Sequence, residues 1–228
     1  MKETDAGIRV IESAYNRQVK ELAALGTRKG RAGTGRFAVE GVRLVREALG
    51  SEKAEVHRLA VRADAADEPA IREIIAECER KGIQTIFVTR ELMCKITRME
   101  TSQGILAEVS LKRPRTLGNA DFIGATLLAH GVRDPRNMGL LIRTSEAAGA
   151  ATFFAPIGAA DPFHPTAVQT SMGAVFHHNI ITGVQSREVI AEAKKNCAAV
   201  VGTSPRGGLP IDVWLKERPD SFMLVVGN

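Results

Sequence analysis

The sequence predicts two α/β domains in tandem, from three observations. Short apolar segments of strand length alternate with amphipathic helical segments, the pattern of βα units and largely parallel sheets. The stretch Leu111-Lys112-Arg113-Pro114-Arg115-Thr116-Leu117-Gly118-Asn119 interrupts that alternation with basic residues, a proline and a glycine, the composition of a linker. The chain has 228 residues, 44% hydrophobic and 25% charged, enough to bury a core on either side of the break. The expected domains are residues 1–115 and 120–228.

Apolar spacing at three and four residues predicts a first amphipathic helix from Ile8 to Leu25. A strand at Phe37-Ala38-Val39 and a helix from Val42 to Leu49 follow. His57 to Val61 and Gln84 to Val88 are apolar runs of strand length, separated by a helical pattern from Glu68 to Lys81. A short helix from Arg90 to Ile96 leads to a strand from Gly104 to Val109. Beyond the linker the alternation restarts, with strands at Thr126–Val132 and Ala151–Ala155 and helices at Asn137–Ala148 and His164–His177. A short strand at Ile180-Ile181, a helix from Arg187 to Asn196, and strands at Ala198–Gly202 and Phe222–Val226 complete the chain. There is no internal repeat and no low-complexity tract.

Composition narrows the class. No stretch of about 18 residues is apolar and free of charge, and Met1-Lys2-Glu3-Thr4-Asp5 lacks the apolar run of a signal peptide, so a cytoplasmic protein is expected. Cys78, Cys94 and Cys197 have neither Cys-x-x-Cys spacing nor histidine partners at zinc spacing. No metal and no disulfide are expected.

The net charge is +5 and the pI about 9.3. Part of that charge is concentrated at Arg28, Lys29, Arg31, Arg36, Arg43 and Arg46, interspersed with Gly26, Gly30, Gly33 and Gly35. This reads as a flexible basic loop, suited either to an RNA phosphate backbone or simply to solvent. Aromatic residues are only 4%, so base stacking on an aromatic platform is not the expected binding mode.

The most informative segment runs from His130 to Ala150. It passes from a strand end through a turn into a helix closed by Gly149, where ligands gather in open α/β sheets. Asp134-Pro135 favours the turn and Asn137 can cap the helix. Arg143 stands between Leu140, Leu141, Ile142 and Ala147 on a helix patterned for burial, so its guanidinium is either paired structurally or held for an anion such as phosphate. Glu40 reads more readily as half of a structural ion pair at a strand–helix turn, with Arg43 beside it, than as a functional acid. His177 and His178 are adjacent and point apart, which disfavours a shared ligand site.

At these residues a family resemblance appears. Asp134-Pro135, Asn137, Gly139 and Arg143-Thr144, followed by Ala147-Ala148-Gly149, resemble the first motif of SpoU/TrmH-type RNA ribose 2'-O-methyltransferases, within the SPOUT superfamily. Asp161-Pro162 leading to Ser171-Met172-Gly173-Ala174-Val175-Phe176 resembles the next helix of that family. Arg36-Phe37-Ala38-Val39-Glu40-Gly41 and Gln103-Gly104-Ile105-Leu106-Ala107 resemble the N-terminal substrate-binding domain of its ribosomal RNA members. Four matches in order span nearly the whole chain.

The resemblance implies a small α/β RNA-binding domain followed by a knotted α/β methyltransferase domain. It implies transfer of a methyl group from S-adenosylmethionine to a ribose 2'-hydroxyl of RNA, with ribosomal RNA ahead of transfer RNA, and a homodimer formed through the methyltransferase domain. Arg143 would bind the target phosphate and Asn137 would organise the reacting centre. Guanidinium is a poor base, so electrostatic positioning is the expected role of Arg143. A dinucleotide-type Gly-x-Gly-x-x-Gly loop is absent, unlike Rossmann-type methyltransferases. In the family the last strand leads into a glycine-rich cofactor loop, and Gly227 and Asn228 match its beginning. By resemblance, the knot-forming segment, most of the cofactor pocket and much of the dimer interface lie beyond these 228 residues, so the natural protein is expected to continue past Asn228. These 228 residues alone are expected to bind S-adenosylmethionine weakly or not at all, and to be inactive without that further segment. The alternative from another class is a non-catalytic RNA-binding protein derived from such an enzyme.

Overall fold

The computed structural model describes residues 2–3, 9–97, 102–112, 116–204 and 207–227. The chain forms two units: Met1–Lys112 with Phe163–Gln169, and Arg113–Pro162 with Thr170–Asn228.

The first unit contains β1 (Lys2–Glu3), β2 (Arg9–Ile11), α1 (Arg17–Ala24), α2 (Arg28–Thr34), β3 (Arg36–Glu40), α3 (Val42–Gly50), β4 (Ala54–Arg62), α4 (Pro69–Arg80), β5 (Gln84–Val88), α5 (Arg90–Thr97) and β6 (Ile105–Leu111). Its sheet has the order β1-β2-β5-β4-β6-β3. The strands β2, β5 and β4 run parallel, but β6 lies antiparallel to both β4 and β3, so this sheet is mixed rather than largely parallel. Leu59, Ala60 and Val61 are fully buried, as expected of a central strand covered on both faces. On one side Val19, Leu22 and Leu25 pack with Leu92, Met93 and Ile96 against Ala60, Ile86, Val88 and Leu106.

Two sequence expectations change here. The predicted helix from Ile8 starts only at Arg17: residues Arg9–Ile11 pair with β5, and Asn16 caps the helix by accepting from the Gln18 amide at 2.8 Å. The predicted basic loop is the helix α2, capped by Thr27, whose hydroxyl accepts from the Gly30 amide at 3.0 Å. Gly30 serves close packing rather than flexibility, because a Cβ there would overlap the carbonyl of Ala24.

Charge is also ordered inside this unit. Glu108, 4% exposed, accepts from Arg58 Nε and from Arg36, both at 3.0 Å, and Arg58 also bonds Glu21 at 2.9 Å. Arg17 completes the chain at 2.8 Å from Glu21. The hydrogen bonds from Arg17 and then Arg58 hold the Glu21 carboxyl below its ordinary range.

The second unit is a βα sheet of β7 (Ala125–His130), α6 (Pro135–Ala147), β8 (Thr152–Ala155), β9 (Ile180–Thr182), α8 (Ser186–Lys195), β10 (Ala199–Gly202), α9 (Ile211–Glu217) and β11 (Phe222–Gly227). All five strands run parallel in the order β10-β11-β7-β8-β9. From β7 the chain winds outward through β8 and β9, then returns to the other side of β7 with β10 and β11. The β7–β11 boundary is therefore the topological switch point. The core beneath it includes Phe122, Leu128, Phe154, Ile181, Val189 and Met223.

The predicted helix from His164 to His177 is broken. A six-residue helix α7 (Pro165–Thr170) ends before Met172 and Gly173, which adopt positive φ of 54° and 99°, and a 3-10 turn covers Ala174–Phe176. Phe163 to Gln169 belong with the first unit: the Phe163 ring lies 4.9 Å from that of Phe37, and Gln169 Nε2 donates to Glu40 O at 2.9 Å. The helix α9 was not anticipated from the sequence, and none of its residues is buried.

Candidate active site

A groove of about 890 Å3 opens at the carboxyl edge of the second sheet, against the β7–β11 boundary. The end of β7 and the turn after it contribute His130 to Asp134, and α6 contributes Asn137, Leu140 and Leu141. The loop after β8 contributes Ile157 and Gly158, and β11 contributes Val226 and Gly227. The loop is pinned where Ala160 N donates to Val132 O at 2.7 Å and Ile157 N to Val184 O at 2.9 Å. Parallel register sets Gly227 beside His130, and a Cβ on Gly227 would collide with the His130 carbonyl oxygen. Only glycine lets the two backbones come this close. The His130 Nδ1 lies 2.8 Å from Ser186 Oγ, which ties the β7 end to the first turn of α8.

Local chemistry aims α6 into this groove. Asp134, not Asn137, is the N-cap: its Oδ1 accepts from the Arg136 amide at 2.8 Å, and Pro135 fills the first turn. The Asn137 carboxamide is thereby left exposed on the groove wall. The helix buries Met138, Gly139, Ile142 and Ser145. Ser145 Oγ hydrogen-bonds His178 Nε2 in the interior, so His178 is structural while His177 is exposed.

Arg143 is exposed, contrary to the burial that its apolar neighbours suggest. At 100° per residue it lies about 110° round α6 from the centre of the buried stripe and about 60° from Leu140, which is 50% exposed. It does not line the groove but stands on the same helix, one turn beyond the groove residue Leu140. Gly227 lies in the groove, and Asn228 lies outside the described residues.

The basic residues of the first unit separate. Arg28 and Lys29 are exposed in the first turn of α2, and Arg43 is exposed in the first turn of α3. Arg36 is bonded to Glu108. Arg31 does not fit the RNA-binding expectation: it is 6% exposed, and its guanidinium donates to Leu25 O at 2.8 Å, holding α2 against the end of α1. Glu40 pairs with the Ser102 hydroxyl at 2.6 Å rather than with Arg43, and burial raises its carboxyl above the ordinary range despite that bond.

Residues 124–228 match the SpoU rRNA Methylase family, and residues 16–107 match the MRM3-like substrate binding domain. The 23S rRNA (guanosine(2553)-2'-O)-methyltransferase RlmP of Bacillus subtilis (strain 168) is 32% identical over 227 residues, covering 96% of this chain and 82% of that protein. The chain belongs to the SpoU rRNA methylase family. This SpoU protein is an RNA ribose 2'-O-methyltransferase. An rRNA methyltransferase from Sinorhizobium meliloti shares its fold at a TM-score of 0.81 and 26% identity, covering 97% of this chain and 82% of that one. An AdoMet-bound rRNA methyltransferase structure from the same organism aligns at a TM-score of 0.72 and 23% identity, over 97% of this chain and 90% of that one.

Ile157, Gly158 and Val226 are groove residues outside the segment that the sequence singled out. Each lies at or just after the carboxyl end of a parallel strand, which is the signal that locates them.

Proposed function

We propose that this SpoU protein transfers the methyl group of S-adenosylmethionine to the ribose 2'-hydroxyl of a guanosine in 23S rRNA. The observation that carries this reading is the groove at the β7–β11 switch point, with Asn137 on its wall, Gly227 in its floor and Arg143 one turn beyond Leu140 on α6. The walls suit the cofactor. Leu140, Leu141, Ile157 and Val226 offer apolar surface for a purine, and the bare backbone at Gly227 and Gly158 admits close approach of a polar ligand. Bound there, S-adenosylmethionine supplies a methyl group already activated by its sulfonium.

The protein's contribution is then positional. Arg143 holds the phosphate beside the target ribose through its guanidinium fork. Asn137, with one acceptor and two donors on its amide, orients the 2'-hydroxyl so that an oxygen lone pair faces the methyl group. Gly227, together with Asn228 beyond it, seats the cofactor. Arg28, Lys29 and Arg43 hold RNA backbone by charge. The reading includes a homodimer formed through the methyltransferase unit and a cytoplasmic location. Among the described residues no helix is long and apolar enough to cross a membrane.

The test is methyl incorporation from labelled S-adenosylmethionine into a 23S rRNA transcript, with the modified nucleotide mapped by mass spectrometry. Arg143→Ala is expected to lower the rate by about 10²–10³-fold, as loss of one preorganised charge-stabilising donor does. RNA binding without methyl transfer by the natural protein, expressed from its own gene, would instead favour a non-catalytic RNA-binding protein.

A further inference from the structure

Arg133, Arg136 and Arg143 are all exposed, and among the described residues none of the three guanidiniums meets a carboxylate. Two of them share one line on α6. Seven residues apart, Arg136 and Arg143 lie within about 20° of each other around the helix and about 10.5 Å apart along it. Leu140, half exposed, stands between them in height and about 40–60° toward the groove. The arginine line lies about 100–120° round the helix from Asn137. The nearby negative groups are accounted for: Asp134 Oδ1 is occupied by the Arg136 amide, and Glu146 is exposed without an ion pair to either arginine. The Arg136 carbonyl is also anchored, accepting from Thr170 Oγ1 at 3.3 Å, so the arginine backbone is fixed while its side chain is free.

We propose that Arg136 is an RNA-positioning residue that binds a backbone phosphate next to the one held by Arg143, so that α6 carries a two-phosphate track. Two guanidiniums on flexible stems, rooted at helix positions about 10.5 Å apart along the axis, set the direction of a strand as well as its place, which one cation cannot do. The half-exposed Leu140 between them gives that strand an apolar surface on its groove side. This inference rests on the RNA-methyltransferase reading and extends it to a residue outside the family motif.

The test is fluorescence anisotropy of a labelled single-stranded RNA oligonucleotide, titrated with the full chain between about 50 and 200 mM salt. Arg136→Gln is expected to weaken binding several-fold and to reduce the slope of log affinity against log salt by about 0.7–0.9, one phosphate contact. Arg136→Lys, which keeps the charge, is expected to retain the slope. Arg80→Gln, which removes an exposed charge on α4, is expected to leave it unchanged. An Arg136→Gln slope equal to wild type, or an equal loss in Arg80→Gln, would overturn the inference while leaving the methyltransferase reading intact. Wild-type protein that binds no RNA at any salt concentration would overturn both.

Discussion

In the first unit Arg17, Arg36 and Arg58 close on Glu21 and Glu108, and Arg62 and Arg90 both meet Asp64. In the second unit Arg133, Arg136 and Arg143 stand exposed without carboxylate partners around a groove. The same residue type is structural in one place and available in the other, and the difference lies in what surrounds it. Arg58 enters at the β4–β6 bulge, where the register shifts between Val56 and Arg58, and is 9% exposed. A guanidinium withdrawn from water to that degree needs its two carboxylates. The α6 arginines stay hydrated, so they need no partner and can exchange water for phosphate. Arginine count alone would therefore misplace the exposed, unpaired positive charge, as buried Arg31 shows.

The comparison breaks most decisively at Glu108. Glu108→Ala strips buried Arg58 of one of its two carboxylates and Arg36 of its partner, and is expected to destabilise the chain by about 3–5 kcal/mol in urea denaturation. The α6 substitution Arg136→Gln should move the same midpoint by no more than about 0.5 kcal/mol. Equal effects would mean that the two sets of arginines do not differ in the way described.

A smaller effect is expected at Gly30. The sequence reads it as loop flexibility, whereas in the structure it makes room for the Ala24 carbonyl. Gly30→Ala should cost about 1–3 kcal/mol through overpacking between α1 and α2. A neutral or stabilising alanine, the result expected of an uncrowded helix interior, would refute the packing role.

The smallest concerns Glu40. Burial raises its carboxyl in the folded state, so the folded protein binds that proton more tightly than the unfolded chain. The stability linked to this group is therefore present at acid pH and lost as pH rises through its raised range. Relative to wild type, Glu40→Gln should gain about a few degrees in Tm between pH 4 and pH 7. A variant-minus-wild-type difference that stays flat across that span would sink the argument.

Much of the fold was legible because hydrophobic period survives translation into structure. The strand at Gln84–Val88 falls where its apolar run predicts, and the helix after β3 starts at Val42 as expected. What misled were local ambiguities. Ile8 to Leu25 carries enough apolar residues at helical spacing to read as one helix, yet Val10 and Ile11 pair with Phe87 and Val88, a partner some 75 residues away that no local window contains. The run from His164 to His177 likewise conceals a break at Met172-Gly173, where positive φ ends the helix. At the site, Asp134, Asn137 and Arg143 were visible as a motif, but their division of labour was not. Which of Asp134 and Asn137 caps the helix is settled by backbone geometry at one turn, and which face Arg143 takes depends on which side of α6 meets the sheet.

The sequence by itself determined the βα alternation, the family and the segment that lines the groove. All of these rest on residue type and spacing, which need no distant partner. Tertiary structure alone decided the mixed pairing of the first sheet, the burial of Arg31 and Arg58, the close approach of Gly227 to His130, and the exposure of Arg136 and Arg143. Each of these depends on residues far apart in sequence meeting at one place, where burial and backbone contact decide whether a charge is paired or free.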